Sequence, residues 1–320
     1  MVLIKSIEDD FSTTHVIKWL EYFGVPFLRV NEEKILEIKV ERGQAVQVFL
    51  EGEKKFNLAD VSAYWYRRGS WKFKARPLNV KNPIQKALDQ QDTINKKSLI
   101  QFLNEELKKR GNISDQNSAY AANKLDQLRK AEDCGVVVPD YLITTRKTEL
   151  AAFLEKHPAL ITKALNNAIF YITQKIYFPP LTLLLTPAHL DQIPAQFAES
   201  IFQALVPKKY EIRSFYLGGK FYSMAIFSQS DDKTKVDFRN YNWEKPNRNV
   251  PFQLPEALEA RLRTLMSKLD LQSGSFDLIV TPDDQFVFLE VNPVGQFGMV
   301  SNPCNYGLEK IIAEQLAYGK

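Results

Sequence analysis

The segment FDLIVTPDDQFVFLEVN, residues 276–292, decides how the chain is read. Two apolar runs, FDLIV and FVFLEVN, flank a stretch whose Pro and Asp residues mark a turn, so a β-hairpin is expected. With a four-residue loop over 282–285, Thr281 pairs with Phe286 and Asp277 falls opposite Glu290. Side chains alternate along a strand, so Asn292 shares the face of Glu290. One face then holds Asp277, Glu290 and Asn292. The other holds Phe276, Leu278, Val280, Val287, Leu289 and Val291. A five-residue loop would put Asp277 among the apolar residues, which buries a charge at high cost, so the pattern selects the shorter loop. Two carboxylates and an amide oxygen on one face suit a hard cation such as Mg2+, which takes oxygen ligands and shares its shell with phosphate and water. The other reading is the solvated outer face of a sheet; Phe286 and Phe288 beside the acids weigh against full solvation.

Working outward, KYEIRSFYL and KFYSMAIFS flank Gly218-Gly219, a hairpin signal because both positions can take φ > 0. LPEALEARLRTLMSKLDL places Leu258, Leu262, Leu265, Met266 and Leu269 on one helical face, with Pro255 suited to the first turn. NYGLEKIIAEQLAYG reads as a C-terminal amphipathic helix. The N-terminal part reads as β-α-β: strand VLIKSI, a helix over TTHVIKWLEYF capped by Ser12 and ended by Gly24, and strand VPFLRV. SAYWYRRG at 62–69 is a further strand, and a polar helix over about 84–110 runs into KKRGNISDQN, a boundary signal. Next come a helix near 118–134 carrying Lys124 and stopped by Gly135, the extended VVVPDYLITT, a helix near 148–157 and the strand ALITKAL. AIFYITQKI and LTLLLT suggest a small hairpin-like sheet, and a helix over 191–201 leads into IFQALV.

A chain of 320 residues is expected to form two or three compact units. Apolar residues at 45% and charged residues at 25% describe a globular composition, and 42 basic against 38 acidic residues give only +4, too little for a nucleic-acid footprint. The first residues, MVLIKSIEDDFSTTH, are too briefly apolar for a signal peptide, and the longest apolar segment, IYFPPLTLLL, is short and broken by two prolines, so no membrane span is expected. Cys134 and Cys304 lack metal spacing and fit a reduced, cytoplasmic compartment; His15, His157 and His189 are scattered. Neither a G-x-x-x-x-G-K-[ST] loop nor G-x-G-x-x-G occurs, which excludes those two ways of cradling phosphates.

Several cationic residues could meet an anion. Lys163 interrupts the apolar strand ALITKAL; it either faces an anionic partner such as a phosphate or lies on an edge strand in water. Lys124 sits in ANKLDQLRK, where a solvated helix face is the default. Glu211 and Arg213 alternate on one face of the Gly-Gly hairpin, and Arg239 lies close to Asp237 in VDFRNYN. Arginine offers a bidentate fork for phosphate or carboxylate, although each arginine alone is more often a surface ion pair.

Read in order, ANKLDQLRKAEDCGVVVP, ITKAL, FQALVPKKYEIRSFYLGGKFYSMAIFS, DFRNYN, SGSFDLIV and FLEVNPVGQFGMV resemble the ATP-grasp superfamily. More closely, they resemble the ribosomal peptide maturases that make graspetides, the microviridin-type ligases, in the branch called grasp-with-spasm. The resemblance covers roughly residues 115–320, and the N-terminal part more loosely through YWYRRG. It implies an α/β (α+β) ATP-grasp fold with an N-terminal pre-ATP-grasp domain over 1–115, a central α+β subdomain over 116–203 and a C-terminal antiparallel-sheet subdomain over 204–320. It implies ATP and Mg2+ as cofactors. Lys124 and Lys163 would contact phosphates; Gln203, Ala204 and Leu205 would form the adenine hinge, mainly through backbone, with Glu211 among the nucleotide contacts. Asp277, Glu290 and Asn292 would hold the metal, and Arg213 and Arg239 would act on the γ-phosphate and substrate carboxylate. The chain departs from the wider superfamily at ALNNAIFYITQKIYF, which has no glycine-rich loop after Lys163.

The implied reaction activates a peptide Asp or Glu as an acyl phosphate, which a Ser or Thr hydroxyl or Lys amine of the same peptide then displaces. The expected partner is a ribosomal precursor peptide, leader plus core, with the leader docking around 166–186; no nucleic acid or membrane partner is expected, and a homodimer is allowed. The enzymatic alternative adds amino acids to a protein or small-molecule carboxylate. A peptide- or RNA-binding module without catalysis is disfavoured by the intact Asp277, Glu290 and Asn292.

Overall fold

In chain order the elements are β1 (Val2–Lys5), α1 (Phe11–Tyr22), β2 (Phe27–Val30), β3 (Ile35–Lys39), β4 (Gln47–Leu50), β5 (Lys55–Asn57), β6 (Ala63–Tyr66), α2 (Pro83–Lys108) and α3 (Gln116–Ala121). Then follow α4 (Lys124–Asp133), β7 (Tyr141–Arg146), α5 (Lys147–Lys156), β8 (Leu160–Lys163), β9 (Tyr171–Ile172), β10 (Tyr177–Phe178), β11 (Leu183–Leu185) and β12 (Gln196–Ala204). The last are β13 (Tyr210–Leu217), β14 (Lys220–Phe227), β15 (Arg248–Phe252), α6 (Glu256–Lys268), β16 (Ser273–Val280), β17 (Phe286–Asn292), α7 (Gly298–Cys304) and α8 (Leu308–Tyr318). This computed structural model describes all residues except 76–82, 111–112, 122, 166–170, 173–176, 179–181, 232–233, 236–241 and 320. One compact unit contains Met1–Ala121, Leu271–Ser273 and Pro293–Lys320; the other contains Ala122–Asp270 and Gly274–Asn292. Among the described residues, no helix is long and apolar enough to cross a membrane.

In the first unit β1 pairs in parallel with both β2 and β6, as the expected β-α-β reading requires. The helix cap differs from expectation. Asp10, not Ser12, caps α1: its carboxylate accepts from the Thr13 N–H at 3.4 Å and the Thr13 hydroxyl at 2.8 Å. Asp10 stands where the first free N–H groups of the helix point, whereas Ser12 already lies inside the first turn. β1 ends on Lys5 and β6 leads into Arg67, and both side chains are buried. The Arg67 Nε lies 3.5 Å from Asp10 Oδ2, its Nη1 donates to the carbonyls of Val294 and Gly295, and the rings of Trp65 and Phe297 stand 5.2 and 5.0 Å from the guanidinium carbon. Burial alone would raise the Asp10 carboxyl, but Arg67 and the Thr13 and Ser6 hydroxyls hold it below its ordinary value.

In the second unit the expected helix near 118–134 is broken, because Asn123 accepts from the Leu125 N–H at 2.8 Å and starts α4 at Lys124. β11, β8, β12 and β7 form a sheet in that order. The segment expected as a helix over 191–201 is instead a 3-10 turn, Pro187–Gln192, followed by β12. Its Ala, Gln and Glu favour helix, but Pro194 cannot donate, and from Ile201 onward the chain finds ladder partners on both β7 and β8. Leu160 and Phe202 pack with Leu150 and Leu154 of α5 on one face of this sheet. By alternation, Ile161, Lys163, Ile201 and Gln203 share the other face. A second sheet runs β15-β14-β13-β16-β17, with the β13–β14 turn at Gly218 and Gly219 closing Leu217 onto Lys220. Both glycines have positive φ, 54° and 88°, as a two-residue hairpin loop demands. α6 buries Leu258, Leu262, Leu265 and Met266, the stripe read from sequence, at about 1.5–3 kcal/mol per side chain. Pro255 takes the cap position, one residue earlier than expected.

Candidate active site

The β16–β17 hairpin brings the acids together by a route the sequence pattern did not anticipate. Val280 pairs with Phe286, so five residues, not four, lie between the strands. The longer loop is held by its own polar groups: the Thr281 N–H donates to the Gln285 carbonyl at 3.0 Å, and the Gln285 N–H donates to the Thr281 hydroxyl at 3.0 Å. Asp284 turns the chain with φ of 61°. The slip this introduces is undone by a β-bulge. Leu278 faces Phe288 and Asp277 faces Glu290, so Leu289 is the extra residue. Phe288 replaces Leu289 on the apolar face and packs against Phe276, ring centres 6.0 Å apart. Asp277 therefore stays opposite Glu290, and Ser275 faces Asn292.

Two cations converge on Glu290. Lys163 Nζ lies 3.2 Å from its Oε2 and Lys124 Nζ 3.5 Å from the same atom. The side chains of Lys163 and Glu290 are 15% and 13% exposed and that of Lys124 25%, so the ammonium groups are shielded without being sealed. β8 has neighbours on both sides, which removes the edge-strand alternative for Lys163. Lys124 also donates to the Ala164 carbonyl at 3.1 Å, so its helix face is not simply solvated. On the adjoining strand β13, Arg213 Nη1 pairs with Asp277 Oδ1, while Asn292 Nδ2 donates to Asp277 Oδ2 at 3.3 Å. Arg213 Nε has no hydrogen-bond partner among the described residues.

Gln127 escaped the sequence reading. Its buried amide clamps the Val291 backbone: Nε2 donates to the Val291 carbonyl and Oε1 accepts the Val291 N–H, each at 2.9 Å. Val291 lies between Glu290 and Asn292, so this clamp fixes α4, and with it Lys124, against the acid-bearing strand. A glutamine on a polar helix gives no local signal of such a partner.

Gln203 is fully buried, and neither its Oε1 nor its Nε2 has a partner among the described residues. The next N–H groups are already used, Ala204 to the Asp140 carbonyl at 2.8 Å and Leu205 to the Ala159 carbonyl at 2.9 Å. Glu211 is buried and paired with Lys208. Arg239 lies outside the described residues, as does most of the 166–186 stretch expected to dock a leader. The fit to Mg2+ rests on donor chemistry: Asp277, Glu290 and Asn292 supply two carboxylates and an amide oxygen at neighbouring positions of one hairpin, and hard cations take such oxygens.

This architecture is the ATP-grasp fold. No protein-family description matches it and no curated protein matches it. Among solved structures it is similar to the macrocyclase MdnC bound with precursor peptide MdnA from Microcystis aeruginosa MRC: 27% identity over the whole of both chains, TM-score 0.79. A Chryseobacterium gregarium RiPP-associated ATP-grasp ligase, in complex with ADP and a leader and core peptide, is 24% identical over 100% of this chain and 97% of its own, TM-score 0.80. The ATP-grasp ligase PsnB, complexed with a minimal precursor, Mg and ADP, shares the fold at 15% identity over 98% of this chain and 96% of its own, TM-score 0.71.

Proposed function

We propose that this chain is an ATP- and Mg2+-dependent peptide macrocyclase of the cytoplasm, closing side-chain ester or amide links in a ribosomally made precursor. The observation that carries the reading is the meeting of Lys124 and Lys163 on Glu290, beside the Arg213–Asp277–Asn292 group, in a fold shared along its full length with MdnC. In this reading residues 1–115, 116–203 and 204–320 are the pre-ATP-grasp domain and the two grasping subdomains. Three cations face two carboxylates, an excess of positive charge suited to a triphosphate. Lys124 and Lys163 would leave Glu290 for phosphate oxygens. With the Ala204 and Leu205 N–H groups committed, base recognition falls to hinge carbonyls and the Gln203 amide, while Glu211 lies with the nucleotide. Mg2+ held by Asp277, Glu290 and Asn292 would neutralise charge on the phosphates. Arg213 would orient the transferring phosphoryl group, and Arg239, by resemblance alone, the peptide carboxylate.

The test is incubation with the precursor peptide, ATP and Mg2+, read by mass spectrometry. ADP and phosphate should be released, and each ring should remove the mass of one water. Hydroxylamine should trap the acyl phosphate as an Asp or Glu hydroxamate. Release of AMP would overturn the acyl-phosphate route, and a precursor that gains mass would favour the amino-acid-adding alternative.

A further inference from the structure

We propose that Ser275 is a positioning residue for the cation site: its hydroxyl accepts an amide hydrogen of Asn292 when the Asn292 oxygen turns to a divalent cation. The inference rests on the metal reading given above. Ser275 lies on β16 two residues before Asp277 and directly opposite Asn292 on β17, so the three side chains share one face. It is fully buried, and its Oγ has no hydrogen-bond partner among the described residues. A buried hydroxyl left unpaired costs about 1–3 kcal/mol, so an orphan beside a ligand-binding group calls for a state in which it is paired.

The neighbouring bonds define that state. Asn292 Nδ2 now donates to Asp277 Oδ2 at 3.3 Å, beyond the ordinary range, while Arg213 holds the other carboxylate oxygen. When Asp277 gives its oxygens to a cation, Asn292 loses this acceptor. When Asn292 gives its own oxygen to the same ion, its NH2 group still needs a place for two hydrogens. Ser275 Oγ is the unused acceptor across the strand pair, within the roughly 5 Å Cβ spacing of directly opposed residues. Gly274 keeps the two strands close there. A Cβ at that position would stand 2.8 Å from Val291 Cγ2 and 3.3 Å from the Asn292 carbonyl oxygen, closer than packed atoms tolerate. The hydroxyl is thus unpaired while Asn292 donates to Asp277 and paired once Asn292 turns its oxygen to a cation, which favours cation binding.

The experiment uses Ser275→Ala in the full chain, with two readouts other than turnover. The first is the melting temperature without nucleotide or metal. The second is the Mg2+ concentration that half-saturates ADP binding, followed by calorimetry. Removing an orphan hydroxyl should leave the melting temperature unchanged or raised. The Mg2+ requirement should rise about tenfold, as for other groups that orient metal ligands. Ser275→Cys, a weaker acceptor of similar shape, should fall between. A lowered melting temperature with an unchanged Mg2+ requirement would make Ser275 merely structural and overturn the proposal, as would no change in either. Asp277→Asn separates the two levels. If it keeps the wild-type Mg2+ dependence, the metal reading itself fails; if it loses it while Ser275→Ala does not, only the role of Ser275 fails.

Discussion

Among the described residues, two clusters of buried charge differ in how they are closed. In the first unit the Arg67 and Asp10 side chains are 2% and 4% exposed, and protein groups surround them: two backbone carbonyls, two aromatic rings and the hydroxyls of Ser6 and Thr13. In the second unit Lys124, Lys163 and Glu290 keep 13–25% of their side chains exposed. A cluster closed by protein alone holds a fold together. One that is open at the edge can receive something that arrives later.

The largest effect is expected where the closed cluster is broken. Arg67→Met leaves Asp10 buried without its cation and two carbonyls without a donor, and should cost about 3–5 kcal/mol in denaturant unfolding. A loss below about 1 kcal/mol would show that the pair is not structural.

The open cluster should respond in activity more than in stability. Glu290→Gln removes the carboxylate on which both lysines meet, and ATP turnover should fall by about 10²–10³-fold, the scale of a lost electrostatic contact in a reaction centre. Its stability should change by only about 1 kcal/mol, because the partly exposed ammonium groups can turn to water. If Glu290→Gln melts as early as Arg67→Met, the contrast between the clusters is wrong.

A further effect is a pH dependence in the first unit. Lys5 is buried, donates to the Ser6 carbonyl at 3.3 Å and to the Asn31 carbonyl, and lies 5.4 Å from the centre of the Trp71 ring. Burial pushes its ammonium down from 10.5 to about 8, against the upward pull of Glu33 and Glu32. The folded value lies below the unfolded one, so between about pH 8 and pH 10.5 the unfolded chain binds more protons. The Lys5 contribution should therefore rise with pH across that window, and Lys5→Met should flatten the rise when urea midpoints are compared. An unaltered slope in the variant would remove Lys5 as its source.

Much of the site was legible from sequence, for local reasons. Strand alternation and turn chemistry act over a few residues, so the 276–292 segment reads as a hairpin and puts Glu290 and Asn292 on one face. The loop length was misjudged because a bulge can absorb a one-residue slip, and the energy that selects it, Phe288 packing on Phe276, comes from side-chain packing that alternation does not report. The helix expected over 191–201 failed for a related reason: its composition favours helix, while β7 and β8 offer ladder partners that composition cannot reveal.

By itself the sequence determined the β13–β14 and β16–β17 hairpins, the Gly218-Gly219 turn and the apolar stripe of α6, because each follows from backbone periodicity and turn stereochemistry within one segment. Only the tertiary structure decided that Lys163 reaches Glu290 across 127 residues of chain, that Gln127 grips Val291, and that Arg213 holds Asp277. These are pairings between distant segments. Their free energy comes from desolvating charges and satisfying buried polar groups together, which no segment can do until the others surround it.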